Sequence, residues 1–91
     1  MPKLVKVVHT PATSSKKLTA IFDDGKKITF GSKTSTTYAE GASDQKRDAY
    51  IKRHKVNENW NAINPGSLSR YVLWEKRSIS AGVEDFKRRF N

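Results

Sequence analysis

Residues 18–30 have the sequence LTAIFDDGKKITF, and this stretch determines the structure of the N-terminal part of the chain. Two β-prone runs, Leu18–Phe22 and Lys27–Phe30, flank an Asp-Gly pair. Asp-Gly supplies the positive-φ residues of a tight hairpin turn. We therefore predict an antiparallel β-hairpin with Asp24-Gly25 as a two-residue turn. 

The length of that turn sets which side chains share a face of the hairpin. With a two-residue turn, Ile21 faces Ile28 and Thr19 faces Phe30. Neither face is then purely polar, so we expect one face to meet the helices.

Residues 1–15 contain a short β-prone run, Leu4–Val8, followed by a loop rich in Thr, Ser and Pro. The run is predicted as a strand at the sheet edge or as an arm that orders on a partner. Residues 16–91 are predicted to form a single small α+β domain.

Helical patterns follow the hairpin after a Ser/Thr-rich loop. The first helix is predicted from residue 43 or 44 to about 55–57, the second from 67 to about 76, and the third from 78 or 80 to the end. The second should follow a break at residues 64–66. In the third, residues 79, 83, 86 and 90 form one apolar stripe, which should bury Phe86 and Phe90 against the second helix. The predicted fold is therefore α+β: an N-terminal β-hairpin, with three strands as an alternative, followed by two or three short helices.

Composition narrows the classes of function. The chain has 91 residues, with 18 Lys+Arg against 9 Asp+Glu, for a formal charge of +9. Such a charge favours an anionic partner: nucleic acid, an acidic protein surface or lipid headgroups. The absence of cysteine excludes disulfides, thiol catalysis and Cys-based metal sites. No apolar run is long enough for a transmembrane helix, and we expect a soluble intracellular protein.

No catalytic template is complete in the sequence. The acidic residues have turn, cap or helix-pair roles, the five glycines are scattered, and there are only two histidines. We predict no enzyme activity, no catalytic residue, no metal site, no cofactor and no small-molecule substrate.

The candidate binding residues are basic clusters near predicted helix ends and the residues that border the second helix. They are Lys46, Arg47, Lys52, Arg53, Lys55, Arg70, Lys76, Arg77, Lys87, Arg88 and Arg89. Lysine and arginine in such clusters bind phosphates, although a run of charges on a helix is often only a solvated face. If the helices pack as one layer, these clusters would merge into one surface.

Trp60, Trp74 and His54 each have two interpretations, a role in binding nucleic acid or a role in packing. Trp60 is a candidate for stacking on unpaired bases, although the core is the favoured interpretation, and Trp74 is predicted to lie in the core. His54 either contributes to a phosphate site or packs beside Tyr50 and bonds locally.

An ordered series of blocks resembles a known family: Ile28–Lys33, Tyr50–Lys55, Glu58–Trp60, Gly66–Trp74 and Asp85–Asn91. Over residues 16–91 the chain is similar to small basic proteins, without an agreed activity, encoded by nucleocytoplasmic large DNA viruses such as chlorella viruses and mimivirus relatives. Residues 34–42 depart from that family's pattern.

The resemblance implies a viral, non-enzymatic protein, located in the virion or in the cytoplasm or nucleus of the infected host cell. Charge ranks nucleic acid first as partner, with DNA favoured. The alternative is a minor capsid or cement protein that binds acidic faces of viral capsid proteins.

Overall fold

A three-stranded antiparallel sheet opens the chain and three helices follow it, as a computed structural model shows, which confirms the predicted α+β fold. The strands, in the spatial order β1-β2-β3, are β1 (Leu4–His9), β2 (Lys16–Phe22) and β3 (Lys27–Ser32). The structure describes residues 2–34 and 36–91. Met1 of the N-terminal segment and Ser35 of the Ser/Thr-rich loop therefore lie outside the described residues.

The β2–β3 hairpin closes with a three-residue loop, so the predicted two-residue turn is wrong. The Phe22 N–H donates to the Lys26 carbonyl (2.9 Å), and the Gly25 N–H donates to the Phe22 carbonyl (3.0 Å). Gly25 has φ 87°, the left-handed conformation that ends a three-residue hairpin loop. The added loop residue shifts the register by one.

The corrected register concentrates the apolar side chains on one face. Ala20 pairs with Ile28, and Leu18 pairs with Phe30. Since directly opposed residues share a face, Phe30 joins Leu18, Ala20 and Phe22, and all four are buried. β1 pairs with the other edge of β2, from Leu4 opposite Phe22 to His9 opposite Leu18.

The helical half has three α-helices, a 3₁₀ turn (Tyr38–Glu40) and a π turn. The helices are α1 (Asp44–Lys55), α2 (Pro65–Leu68) and α3 (Ile79–Phe90), and α2 continues as the π turn (Ser69–Leu73). Ser43 and Ser78 cap α1 and α3, so both helices begin close to their predicted start positions. The prediction that the second helix starts at residue 67 is wrong, because the Asn64 side chain accepts from the Ser67 N–H and Pro65 occupies the first helical turn.

The core lies between the inner face of the sheet and the segment formed by α2, the π turn and α3. Phe30, Phe86, Leu68 and Leu73 are almost completely buried there. The predicted burial of Phe86 is confirmed. Phe90 is only half-buried, because it lies at the last turn of α3 beside the Tyr71 ring.

Candidate functional site

Arg47 ties α1 to the segment that follows the π turn. Its Nε donates to the Trp74 carbonyl (2.9 Å) and its Nη2 to Glu75 Oε2 (3.0 Å). Arg70 bonds the same Glu75 carboxylate from the π turn. Burial disfavours the ionised carboxyl, but the Arg70 hydrogen bond and the charges of Arg70 and Arg47 outweigh it and lower the pKa of Glu75. Both arginines are therefore part of an internal ion-pair network.

Arg77 lies against the start of α1. Its Nη2 is 2.9 Å from Asp44 Oδ1, and its guanidinium lies over the Tyr38 ring, 4.4 Å from the ring centroid. The Tyr38 hydroxyl donates to the same Asp44 oxygen (2.7 Å), and this bond raises the pKa of Tyr38. The Arg47 guanidinium lies 5.2 Å from the Tyr38 centroid. The Tyr38 ring thus contacts two of the predicted binding arginines.

A second cluster gathers Trp60, Arg70 and Arg89 around Tyr71. The Arg70 guanidinium lies 5.1 Å from the Trp60 centroid and 5.3 Å from the Tyr71 centroid. The Arg89 guanidinium lies 4.2 Å from the Tyr71 centroid. Trp60, Tyr71, Arg89 and Phe90 contribute to the lining of an open cavity of about 390 Å³. Cation–π contacts of this kind stabilise a fold, and they leave Trp60 half-buried.

Arg89 also has an acidic partner on its own helix. Its Nε donates to Asp85 Oδ2 (2.9 Å), and this bond raises the pKa of Arg89. Asp85 is buried, whereas Arg89 remains exposed. The charge of Arg89 is therefore partly neutralised within α3.

Three rings stack in series between α1 and the end of the π turn. The His54 and Tyr50 centroids are 4.1 Å apart, and the Tyr50 and Trp74 centroids are 4.2 Å apart. His54 Nδ1 also pairs with the Glu58 carboxylate. Packing beside Tyr50 with a local bond is thus the observed arrangement for His54, and Trp74 lies in the core as predicted. Burial raises the pKa of Tyr50 to about 12.

A smaller cavity of about 260 Å³ opens beside this stack. Lys16, Ser32, Arg53 and His54 contribute to its lining, which contains no carboxylate. Arg53 therefore lies near the first residue of β2 and the last residue of β3, whereas Arg89 lies at the cavity beside Trp60. The two terminal clusters, residues 52–55 and 87–89, border different cavities.

The carboxylates neutralise a defined subset of the basic side chains. Each of the nine carboxylates accepts a hydrogen bond or forms an ion pair within the chain. Six of the eighteen basic side chains lie within 4.0 Å of a carboxylate: Lys17, Arg47, Arg70, Arg77, Lys87 and Arg89. The other twelve pair with no carboxylate among residues 2–34 and 36–91.

The predicted binding residues fall into two groups, those with a carboxylate partner and those without one. Arg47, Arg70, Arg77, Lys87 and Arg89 have carboxylate partners. The others are exposed and have no such partner within the described residues: Lys46, Lys52, Arg53, Lys55, Lys76 and Arg88. Four of these six lie on α1.

The lysines of the sheet and its loops were not among the predicted binding residues. They are Lys3, Lys6, Lys16, Lys26, Lys27 and Lys33, all exposed and without a carboxylate partner in the described part of the chain. Lys33 Nζ donates to the Pro11 carbonyl (2.5 Å). A correct strand register identifies them, because the register determines which lysines share a face of the sheet.

The described residues contain no group of three or more His, Asp or Glu side chains arranged to hold a metal ion. No helix among them combines the length and apolar character that a membrane span requires.

The sheet, the helices and the excess of unpaired cations define a small basic α+β protein. A family model described as a family of unknown function, DUF5754, matches residues 6–54, and the chain belongs to that family. The matched residues cover the sheet from Lys6, the 3₁₀ turn and α1 as far as His54. No curated protein and no solved structure matches the chain significantly.

Proposed function

We propose that this protein is a non-enzymatic nucleic-acid-binding protein, with DNA as the favoured partner. One observation carries the proposal: of the twelve basic side chains without a carboxylate partner in the described residues, ten lie on the sheet, its loops and α1, and these ten form the proposed binding surface. Phosphates are the natural counter-charges for such a surface, because each contact releases condensed counterions from the nucleic acid.

The resemblance to proteins of large DNA viruses supports a particular setting. A small basic protein of such a virus has a long DNA genome as an available partner. We propose that it acts in the virion or in the cytoplasm or nucleus of the infected cell.

The salt dependence of binding tests the proposal. Fluorescence anisotropy with a labelled 20-bp DNA duplex gives the dissociation constant between 50 and 300 mM salt. With several phosphate contacts, log K should fall by about 0.9 per contact for each decade of salt. An absence of binding at 50 mM, or an affinity that salt does not change, would remove nucleic acid as the partner.

The second candidate is a minor capsid or cement protein. The observation that favours it is the edge strand β1, where Val5 and Val8 are exposed, at 49% and 37%. An edge strand with exposed apolar side chains is a surface that another protein can cover. In this case the protein would remain with nuclease-treated shells of disrupted virions and would leave the genome fraction.

A further inference from the structure

The packing of the core does not explain the role of the outer face of the sheet. The inner face, with Leu18, Ala20, Phe22 and Phe30, packs on the helical segment. α3 lies beside β1, and α2 and the π turn lie beside β3. Side chains alternate between the two faces of a strand, so the intervening residues point away from this core.

Strand pairing aligns the outer residues in two rows. In one row Lys6, Ile21 and Lys27 lie opposite one another across the three strands. In the other row, Val8, Thr19 and Thr29 do the same. The edge-strand members are exposed and the two central ones, Thr19 and Ile21, are half-buried.

The first row is cationic at both edges with Ile21 between the lysines, whereas the second row is apolar at one edge and carries hydroxyl groups in the centre and at the other edge. No Asp or Glu belongs to either row. The carboxylates at the adjacent turn are engaged: Asp23 accepts from the Lys3 N–H (3.0 Å), and Asp24 accepts from the Lys26 N–H (2.9 Å). Neither Lys6 nor Lys27 forms an ion pair with a carboxylate among the described residues.

We propose that this outer face lies in the major groove of duplex DNA; this rests on the proposed function and specifies its surface. Lys6 and Lys27 would reach phosphates on the two sides of the groove. Thr19 and Ile21 of the central strand would contact base edges, where a hydroxyl can bond either to donors or to acceptors and a methyl group packs on the thymine methyl.

The dimensions of the sheet agree with this placement. Neighbouring strands lie about 4.8 Å apart, so β1 and β3 are separated by about 9.6 Å. The major groove of B-DNA is about 12 Å wide, and β-sheet proteins are known to insert strands into it. The edge lysines then lie near the groove walls and the central strand lies over the bases.

Other nucleic acids fit this face less well. The deep, narrow major groove of an RNA duplex does not admit side chains that read bases. Single strands are usually held by stacking on aromatic rings, and neither row contains one. Duplex DNA is therefore the occupant that the charge and shape of the face favour.

Matched double variants test the proposal. Lys6→Ala/Lys27→Ala removes two sheet cations, and Lys76→Ala/Arg88→Ala removes two exposed cations from the helical half. At 0.1 M salt each phosphate contact contributes about 0.9 log unit to K, so the sheet variant should bind a DNA duplex about 60-fold more weakly, with a salt slope reduced by about 1.8. The control variant should bind within about threefold of the wild type.

The wild-type protein supplies two further measurements that need no variant to fold. Titration of ¹⁵N-labelled protein with the duplex should shift the amide signals of Lys6, Thr19, Ile21, Lys27 and Thr29 most. A DNA duplex should bind more tightly than an RNA duplex of the same sequence at equal salt.

The outcomes separate the two proposals. DNA binding that both double variants weaken equally, or amide shifts confined to the helices, would overturn the sheet proposal and leave nucleic-acid binding intact. Equal affinity for the RNA duplex would overturn the major-groove assignment. No binding of wild-type protein to any nucleic acid would overturn the proposed function itself.

Discussion

The Tyr50 ring lies flat on the Trp74 indole, with centroids 4.2 Å apart and planes 7° from parallel. Tyr50 comes from α1 and Trp74 from the end of the π turn, so this stack fixes α1 on the rest of the molecule. Both side chains are buried. The stack is therefore a structural element, and Trp74 has no free face for a base.

Truncation of Trp74 should destabilise the whole protein. Removal of a large buried aromatic side chain costs about 3–5 kcal/mol, so Trp74→Ala should lower the free energy of unfolding in urea by that amount. Trp60→Ala is the matched control, because Trp60 is only half-buried. Equal losses for the two variants would contradict the core assignment of Trp74.

Gly82 allows α3 to approach the π turn closely. A Cβ at this position would lie 2.4 Å from the Val72 carbonyl oxygen and 2.8 Å from that of Tyr71, both backbone atoms. In an exposed helix Gly→Ala stabilises by about 1 kcal/mol, but here the clash should reverse the sign. Gly82→Ala should therefore lower the melting temperature, whereas Ser80→Ala on the exposed side of α3 should leave it nearly unchanged. A rise in the melting temperature of Gly82→Ala would show that the helix has room to move.

Acid should weaken the network around Glu75. The pKa of Glu75 is lowered in the folded protein, because burial is outweighed by the hydrogen bond from Arg70 and the charges of Arg70 and Arg47. The stabilisation is therefore complete above the unfolded-state pKa, about 4.3 for a glutamate, and is lost as the pH falls through the lower folded-state pKa.

Unfolding in urea between pH 7 and pH 2 measures this effect. Glu75→Gln should cost about 1–3 kcal/mol at pH 7, because two arginines lose a charged partner. The same variant should show a smaller loss of stability in acid than the wild type. Glu84→Gln is the control, since Glu84 is exposed and 4.0 Å from Lys87. An acid profile for Glu75→Gln that parallels the wild type would exclude Glu75 as a source of the pH dependence.

The hairpin loop gives a local prediction. Gly25 has φ 87°, and no atom lies within 4 Å of where its Cβ would be, so a substitution there tests backbone strain alone. Gly25→Val should cost about 1–2 kcal/mol because a branched side chain disfavours the left-handed conformation. Gly25→Asn should cost less, and a reversed order in thermal melts would contradict the loop geometry.

Sequence patterns over a few neighbouring residues were enough to predict the strands and helices of the fold. The starts of α1 and α3 were predicted to within a residue or two, because a serine cap depends on the amide only three residues later. The hairpin register was missed because Asp24-Gly25 is compatible with loops of two or three residues. The strand register and the bond between the Phe22 N–H and the Lys26 carbonyl distinguish them.

The candidate site was harder to predict for a physical reason. Arg47 donates to Glu75, 28 residues away, and no spacing rule reveals such a pair. Arginines that look like a binding cluster in the sequence are thus partly neutralised in the fold. The unpaired lysines that lie on the same face of the sheet can be identified only when the strand register is known.

Arg70 should therefore matter for stability more than for binding. Its side chain is 13% exposed, bonds Glu75 and lies over the rings of Trp60 and Tyr71. Arg70→Met keeps much of the packing volume but leaves Glu75 with one arginine fewer, and removal of one partner from a buried ion pair costs about 3 kcal/mol.

Comparison with an exposed cation makes the prediction about Arg70 decisive. Lys52→Met removes the same charge from the exposed side of α1. It should leave the free energy of unfolding within about 0.5 kcal/mol of the wild type, as for most surface substitutions. Arg70→Met should leave the salt slope of duplex binding unchanged, because a guanidinium held by Glu75 and two rings releases no counterion from the DNA. A slope reduced by about 0.9 in folded Arg70→Met would instead place Arg70 on a phosphate and would return the paired arginines to the binding surface.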